Sequence, residues 1–131
     1  MFVNLKNKMK CQRGFTLIEL LVVIAIIGVL AAIAVPKYVN SIASANTAKV
    51  QADLSAIDTA SQLFMSNSGG AVPANIAALV PTYLAVAPTP PTGNYIIGGA
   101  TKNAAIAYGI NGDGRGIATI GNSTYTADTF H

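Results

Sequence analysis

The sequence predicts an α+β fold, one long N-terminal helix packed on a small antiparallel sheet of three or four strands, and three observations carry that reading. The run from Leu20 to Val35 holds no charged or strongly polar side chain. With its flanks it reaches the roughly 20 apolar residues that cross a hydrocarbon layer. Further on, Val50, Leu54, Ile57 and Phe64 recur at the spacing of one helical face. Beyond the proline cluster Pro88, Pro90 and Pro91, short β-branched and aromatic stretches alternate with glycine and asparagine turns.

The helix is expected from about Phe15 to about Phe64 or Ser66, roughly 75 Å at 1.5 Å per residue. Its first half is apolar all round. Its second half is one-sided, with Gln51, Asp53, Ser55 and Asp58 expected to face outward. Pro36 removes a backbone donor and predicts a kink or a local opening near residues 32 to 36. Ser68-Gly69-Gly70 marks the helix end and a chain reversal. Pro73 is placed at the first turn of a short helix through Leu79. Strands are expected at Asn94 to Ile97, Ala104 to Tyr108, Gly116 to Ile120 and Ser123 to Thr126. So small a sheet cannot bury two faces alone, so the amphipathic half of the helix must be its second layer.

Charge is divided sharply along the chain. Lys6, Lys8, Lys10 and Arg13 stand before the apolar run with no acidic residue among them. Positive-inside bias then holds the N-terminus in the cytoplasm, with the chain crossing the inner membrane once. After residue 14, four basic residues face five acidic ones, a formal side-chain charge of −1. The basic balance therefore belongs to the leader, and no basic patch with interleaved aromatics argues for dedicated nucleic-acid binding. The one cysteine, Cys11, also lies before the run, so no disulfide can form beyond it.

Enzymatic chemistry finds no constellation here. His131 is the sole histidine, and no serine or cysteine has a base available to activate it. Gly112, Gly114 and Gly116 lie in a polar turn region and not in a phosphate-binding loop after a strand. The reading is a structural subunit and not an enzyme.

The junction Arg13-Gly14-Phe15-Thr16-Leu17-Ile18-Glu19 is the most informative stretch, because a lone carboxylate sits just inside the apolar run. By itself it is compatible with an ordinary single-span anchor. From Cys11 to Tyr38, however, the chain closely resembles the start of prepilins of the type IV pilin superfamily. That resemblance implies cleavage between Gly14 and Phe15 by a membrane-embedded prepilin peptidase, and N-methylation of Phe15. It also implies Glu19, as fifth residue of the mature chain, in an assembly and register role, and Pro36 as the helix kink. On this reading residues 1–14 are the leader, 15–38 the membrane-spanning and filament-core half of the helix, and 39–131 the globular domain. A Sec-type signal would be cut after its apolar core, whereas this site precedes it.

The plainer role for Glu19 is a favourable charge at the helix N-terminus, worth under about 1 kcal/mol. The register role rests on cost: a carboxylate in an apolar span costs about 2.5 to 3.5 kcal/mol. The amine released at Phe15, with an ordinary pKa near about 8, could offset that cost in a staggered bundle of like subunits.

A weaker resemblance covers the C-terminal part. Leu79 to Leu84, Pro91 to Tyr95, Tyr108 to Gly114 and Ala127-Asp128 run in the order found in major pseudopilins of type II secretion systems. It implies a calcium loop to which Asp113 and Asp128 would contribute. Thr126 stands where a second carboxylate is usual, and Phe130 where a tryptophan is common. Calcium prefers six to eight oxygens, so two aspartates make a sparse set. The other reading of Asn111-Gly112-Asp113-Gly114 is a tight turn of residues that tolerate positive φ.

The function expected is therefore a filament-forming homo-oligomer assembled on an inner-membrane platform into an extracytoplasmic filament. A type II secretion pseudopilin is the first reading, a surface type IV or competence pilus subunit the alternative, and a monomeric membrane-anchored binding module the third.

Overall fold

The computed structural model describes residues 14–131. The leader residues Lys6, Lys8, Lys10, Cys11 and Arg13 lie outside the described residues. The chain divides into two compact units, one ending at Pro36 and the other spanning Lys37–His131. Helix α1 (Leu17–Asn67) contributes to both.

Within the first unit α1 is apolar on every side, as the sequence requires. It is helical through Pro36, so the proline does not break the element and the predicted local opening is not seen. Pro36 removes one donor from the ladder, and helical assignment continues on either side of it.

The second unit is α+β. After α1 the chain turns at Gly69 and Gly70, whose φ angles of 66° and 92° favour glycine. A 3₁₀ turn (Ile76–Leu79) follows, and here the expected helix start moves. Asn75 is the cap, its side chain accepting from the Ala78 N–H, while Pro73 lies upstream. Strands β1 (Tyr95–Ile97) and β2 (Ala100–Lys102) form one antiparallel hairpin. Strands β3 (Ala107–Ile110), β4 (Gly116–Ile120) and β5 (Ser123–Tyr125) form a three-stranded antiparallel sheet with β4 central.

Two departures from the predicted strands have a local cause. Gly98 and Gly99 take φ of 59° and 72°, the left-handed pair that a two-residue hairpin turn needs, so the chain folds back after β1 into a β2 that the sequence reading omits. The next strand then begins at Ala107, three residues later than expected, because Ala104 to Ile106 return the chain from that hairpin. The predicted Gly116–Ile120 strand is found as such.

The core is where the amphipathic face of α1 meets these strands. Val50, Leu54 and Ile57 are buried with Leu79, Tyr95, Ile97, Ala118 and Phe130, and Phe64 packs at the edge. Phe64 meets Tyr83 edge-on at 5.7 Å, and Phe130 lies 5.9 Å from both Tyr95 and Tyr125.

The polar residues beside the stripe do not simply face water. Three of the four expected to look outward are tied into the fold, and Ser55 alone of them is exposed. Gln51 donates to the Phe130 carbonyl at 2.6 Å. Asp53 accepts from Lys49 and from the Tyr108 hydroxyl at 2.8 Å, while Asp58 accepts from the Gly116 N–H. Burial, and then the Asp53 hydrogen bond, push the Tyr108 phenol above its ordinary value, so it remains a donor.

Strand β4 approaches α1 as closely as glycine permits. A Cβ on Gly116 would lie 3.0 Å from Ile57 Cβ and from the Leu54 carbonyl oxygen, and the backbone atom cannot swing aside. Gly116→Ala should therefore lower stability by about 1 to 3 kcal/mol, the usual cost of overpacking. Thermal melts of the full chain in detergent micelles measure it; an unchanged midpoint would mean that β4 shifts freely on the helix.

Candidate functional site

The junction singled out in the sequence is exposed and locally ordered by its own side chains. Gly14 precedes the helix with nothing within 4 Å of where a Cβ would stand, and its φ is outside the left-handed range. Nothing in the described fold therefore demands glycine there. Phe15 is 88% exposed.

Thr16 and Glu19 form a reciprocal cap. Glu19 Oε2 accepts the Thr16 N–H at 2.8 Å and the Thr16 hydroxyl at 2.9 Å. In return Thr16 Oγ1 accepts the Glu19 N–H at 3.3 Å. Thr16 is thus the N-cap and Glu19 the third helical residue of a capping box, which satisfies donors that the first turn would otherwise leave open. The sequence reading weighed register against the helix dipole and missed this third role. Thr16-Leu17-Ile18-Glu19 was its signal, a threonine followed three residues later by glutamate at the head of an apolar run. Both bonds fall on Oε2, so Oε1 is left to accept from elsewhere.

Beyond the cap, α1 presents an apolar surface that the described residues do not cover. Its most apolar 18 residues have a mean hydropathy of 3.0 and none is buried within the protein. By length and composition this is a helix able to cross a membrane. A patch of this extent marks a surface made for lipid or for other chains.

The second site proposed from sequence is arranged differently from a metal centre. Asp113 sits in the β3–β4 turn, where its N–H donates to Asn111 Oδ1 at 3.1 Å and Oδ2 accepts from Asn111 Nδ2 at 3.4 Å. Asp128 accepts instead from Arg115 Nη2 at 2.7 Å. The same nitrogen donates to Asp58 Oδ2 at 3.1 Å. Arg115 is held above its ordinary pKa by these bonds, Asp128 first and Asp58 second. Among the described residues no group of three or more His, Cys, Asp or Glu side chains is placed to hold a metal ion. As arranged, Asp113 and Asp128 do not fit calcium, which takes six to eight oxygens. Asp58 and Arg115 are the residues that sequence reasoning overlooked here. Asp58 follows Ile57 at the border of the buried stripe, the position from which a helix side chain reaches a packed strand.

The comparisons with known proteins fall on the N-terminal junction. A family model described as "Prokaryotic N-terminal methylation motif" matches residues 9–35. A type IV major alpha-pilin of Moraxella bovis is 56% identical over 52 residues, 40% of this chain and 33% of the relative. By this segment the chain is similar to type IV pilins. A fimbrial protein of Pseudomonas aeruginosa is 50% identical over 54 residues, covering 41% of this chain and 35% of the relative. A type IV major fimbrial protein FimA of Dichelobacter nodosus is 53% identical over 49 residues, or 37% and 31%. The chain spans about a third of the length of these pilin relatives. No solved structure matches.

Thr16→Val keeps the shape of the cap but removes the hydroxyl. Amide exchange at Glu19 and Leu20 in micelles should rise about fivefold, for the ~1 kcal/mol that an N-cap contributes. Equal exchange in both proteins would mean that the apolar run alone sets the start of α1.

Proposed function

We propose that this chain is the subunit of an extracytoplasmic filament, cleaved between Gly14 and Phe15 and N-methylated at Phe15. The observation that carries the proposal is the uncovered apolar helix beginning at Leu17, three residues after an exposed glycine that the described fold does not need. A glycine with open space around it is suited to recognition by a peptidase pocket that admits little beyond hydrogen. The apolar run after it suits two successive environments, lipid before assembly and like helices after it.

Glu19 supplies the register. Its capping bonds occupy Oε2, no other described residue donates to Oε1, and cleavage creates a cation at Phe15 with an ordinary pKa near about 8. Pairing that amine with Glu19 of a neighbouring subunit offsets the cost of a charge in the apolar layer and fixes an axial offset between helices. The basic leader keeps the scissile bond on the cytoplasmic side of the inner membrane, where the peptidase and the assembly platform would act.

The finer reading is a type II secretion pseudopilin, supported by the order of motifs from Leu79 to Asp128. The alternative, a surface type IV or competence pilus subunit, is favoured by the names of the matched relatives, which are fimbrial proteins and a major pilin. Those matches cover the N-terminal segment. Shearing separates the two: released filaments indicate a pilus, and polymer retained in the envelope a pseudopilus. Monomer alone would indicate an anchored binding module.

Gly14→Ala or a bulkier change should leave the leader attached. Intact-mass measurement decides, and loss of residues 1–14 at the normal rate would overturn the processing assignment. Glu19→Val should still insert and be cleaved, while its entry into filaments falls at least about tenfold when it is co-expressed with the unaltered chain. Normal filaments built from Glu19→Val alone would sink the register role and leave the capping role standing.

A further inference from the structure

The loop between β3 and β4 carries a motif that the filament reading does not use. Asn111-Gly112-Asp113-Gly114-Arg115-Gly116 has the one, three, five spacing and the glycine at six of a calcium-binding loop. Three positions differ from an all-carboxylate loop: asparagine opens it, arginine stands at five, and Asn122 stands at twelve, where a glutamate is usual. The geometry says what the first two do. Asn111 Oδ1 accepts the N–H groups of Asp113 and of Arg115, at 3.1 and 2.8 Å, so the oxygen at position one is spent on closing the turn. Arg115 turns its side chain to Asp58 on α1 and to Asp128 in the turn after β5, with one nitrogen bridging both carboxylates.

We infer that Arg115 is a built-in cation: its guanidinium takes the part that a divalent ion plays in a loop of this spacing, and it makes the closure of the C-terminal segment on α1 independent of calcium.

The surroundings support this. Gly114, at φ 81°, is buried where a Cβ would lie 2.9 Å from Met65 Sδ and 3.2 Å from Ser61 Oγ, so the loop is seated directly on α1. That seating brings position five over Asp58. The Asp58 side chain is only 13% exposed, and its other oxygen accepts the Gly116 N–H. A carboxylate so placed favours a fixed positive partner over solvent. Asp128 is 71% exposed, and its bond adds the last turn to the same cation. Phe130, two residues on, is fully buried, and its carbonyl accepts from Gln51. The segment is therefore fastened on one side by Gln51 and on the other by Arg115. Without the guanidinium, two like charges would face each other across that closure.

The test is amide exchange of the full-length chain in detergent micelles, in millimolar calcium chloride or in chelator. The unaltered protein should exchange identically in both at Gly116 and over residues 123–130. In chelator, Arg115→Gln should raise exchange there about fivefold, the upper range for partly exposed ion pairs, with β1 and β2 unchanged. Asp128→Asn should raise it over the same residues, and Arg115→Lys, which keeps a cation, should raise it less than Arg115→Gln. Calcium should slow the exchange of Arg115→Gln and have no effect on Arg115→Gln/Asp128→Asn. Slower exchange of the unaltered protein in calcium would overturn the inference. So would an Arg115→Gln protein that exchanges like the original, or one that calcium leaves unchanged.

Discussion

The constraint on which the rest depends is that the first half of α1 has no apolar partner among the described residues. From Phe15 to Val35 the large side chains are 48% or more exposed, and none of that window is buried. At roughly 25 cal/mol per Å² of apolar surface, leaving such a helix in water would cost more than a small domain's whole stability. The helix therefore requires lipid or other apolar chains around it at every stage. The unit from Lys37 onward is under no such demand, because Val50, Leu54 and Ile57 already have Tyr95, Ala118 and Phe130 against them.

The second half of α1 serves as a core face with a polar row along each border. At 100° per residue, Asn46, Lys49 and Asp53 fall on one side of the stripe, and Thr47, Gln51 and Asp58 on the other. Asn46 donates to the Asn94 carbonyl, Lys49 to the Thr89 carbonyl, and Thr47 exchanges bonds with Ile96. The first row thus holds the stretch before β1 and, through Asp53 and Tyr108, strand β3, and the second holds β1, the β3–β4 turn and the C-terminal segment. Hydrophobic burial gives this domain cohesion but little direction. The bordering bonds determine where each strand meets the helix, and Gly116 sets how near.

What was legible in the sequence and what was not follows from range. The long helix, its apolar first half and the Val50–Leu54–Ile57 face are periodic signals within one element, and they are found where periodicity put them. So is β4, bounded by glycines at both ends. The β1–β2 hairpin was missed although Gly98-Gly99 is a local signal, because three-residue strands leave too short a pattern to alternate visibly. Arg115 with Asp58 and Asp128 could not be read, since those partners meet only after the turn has seated on α1. The Thr16–Glu19 cap was readable and was overshadowed by the unusual placement of the carboxylate itself.

That cap also sharpens what the carboxylate faces on the proposed cleavage. The Thr16 N–H and hydroxyl survive removal of the leader, so both bonds to Oε2 persist. What changes is one residue upstream, where an amide nitrogen becomes a cation beside the positive end of the helix dipole. A charge of that sign is disfavoured there unless a carboxylate answers it, and Oε1 of Glu19 accepts from none of the described residues. Its own chain has already committed the other oxygen to holding the helix start. A second amine approaching from an adjacent helix would thus meet an acceptor that is fixed in orientation and half satisfied. On the proposed register role, such an acceptor would select among axial offsets more sharply than a mobile side chain, because an approach out of register would find the oxygen that is already bonded.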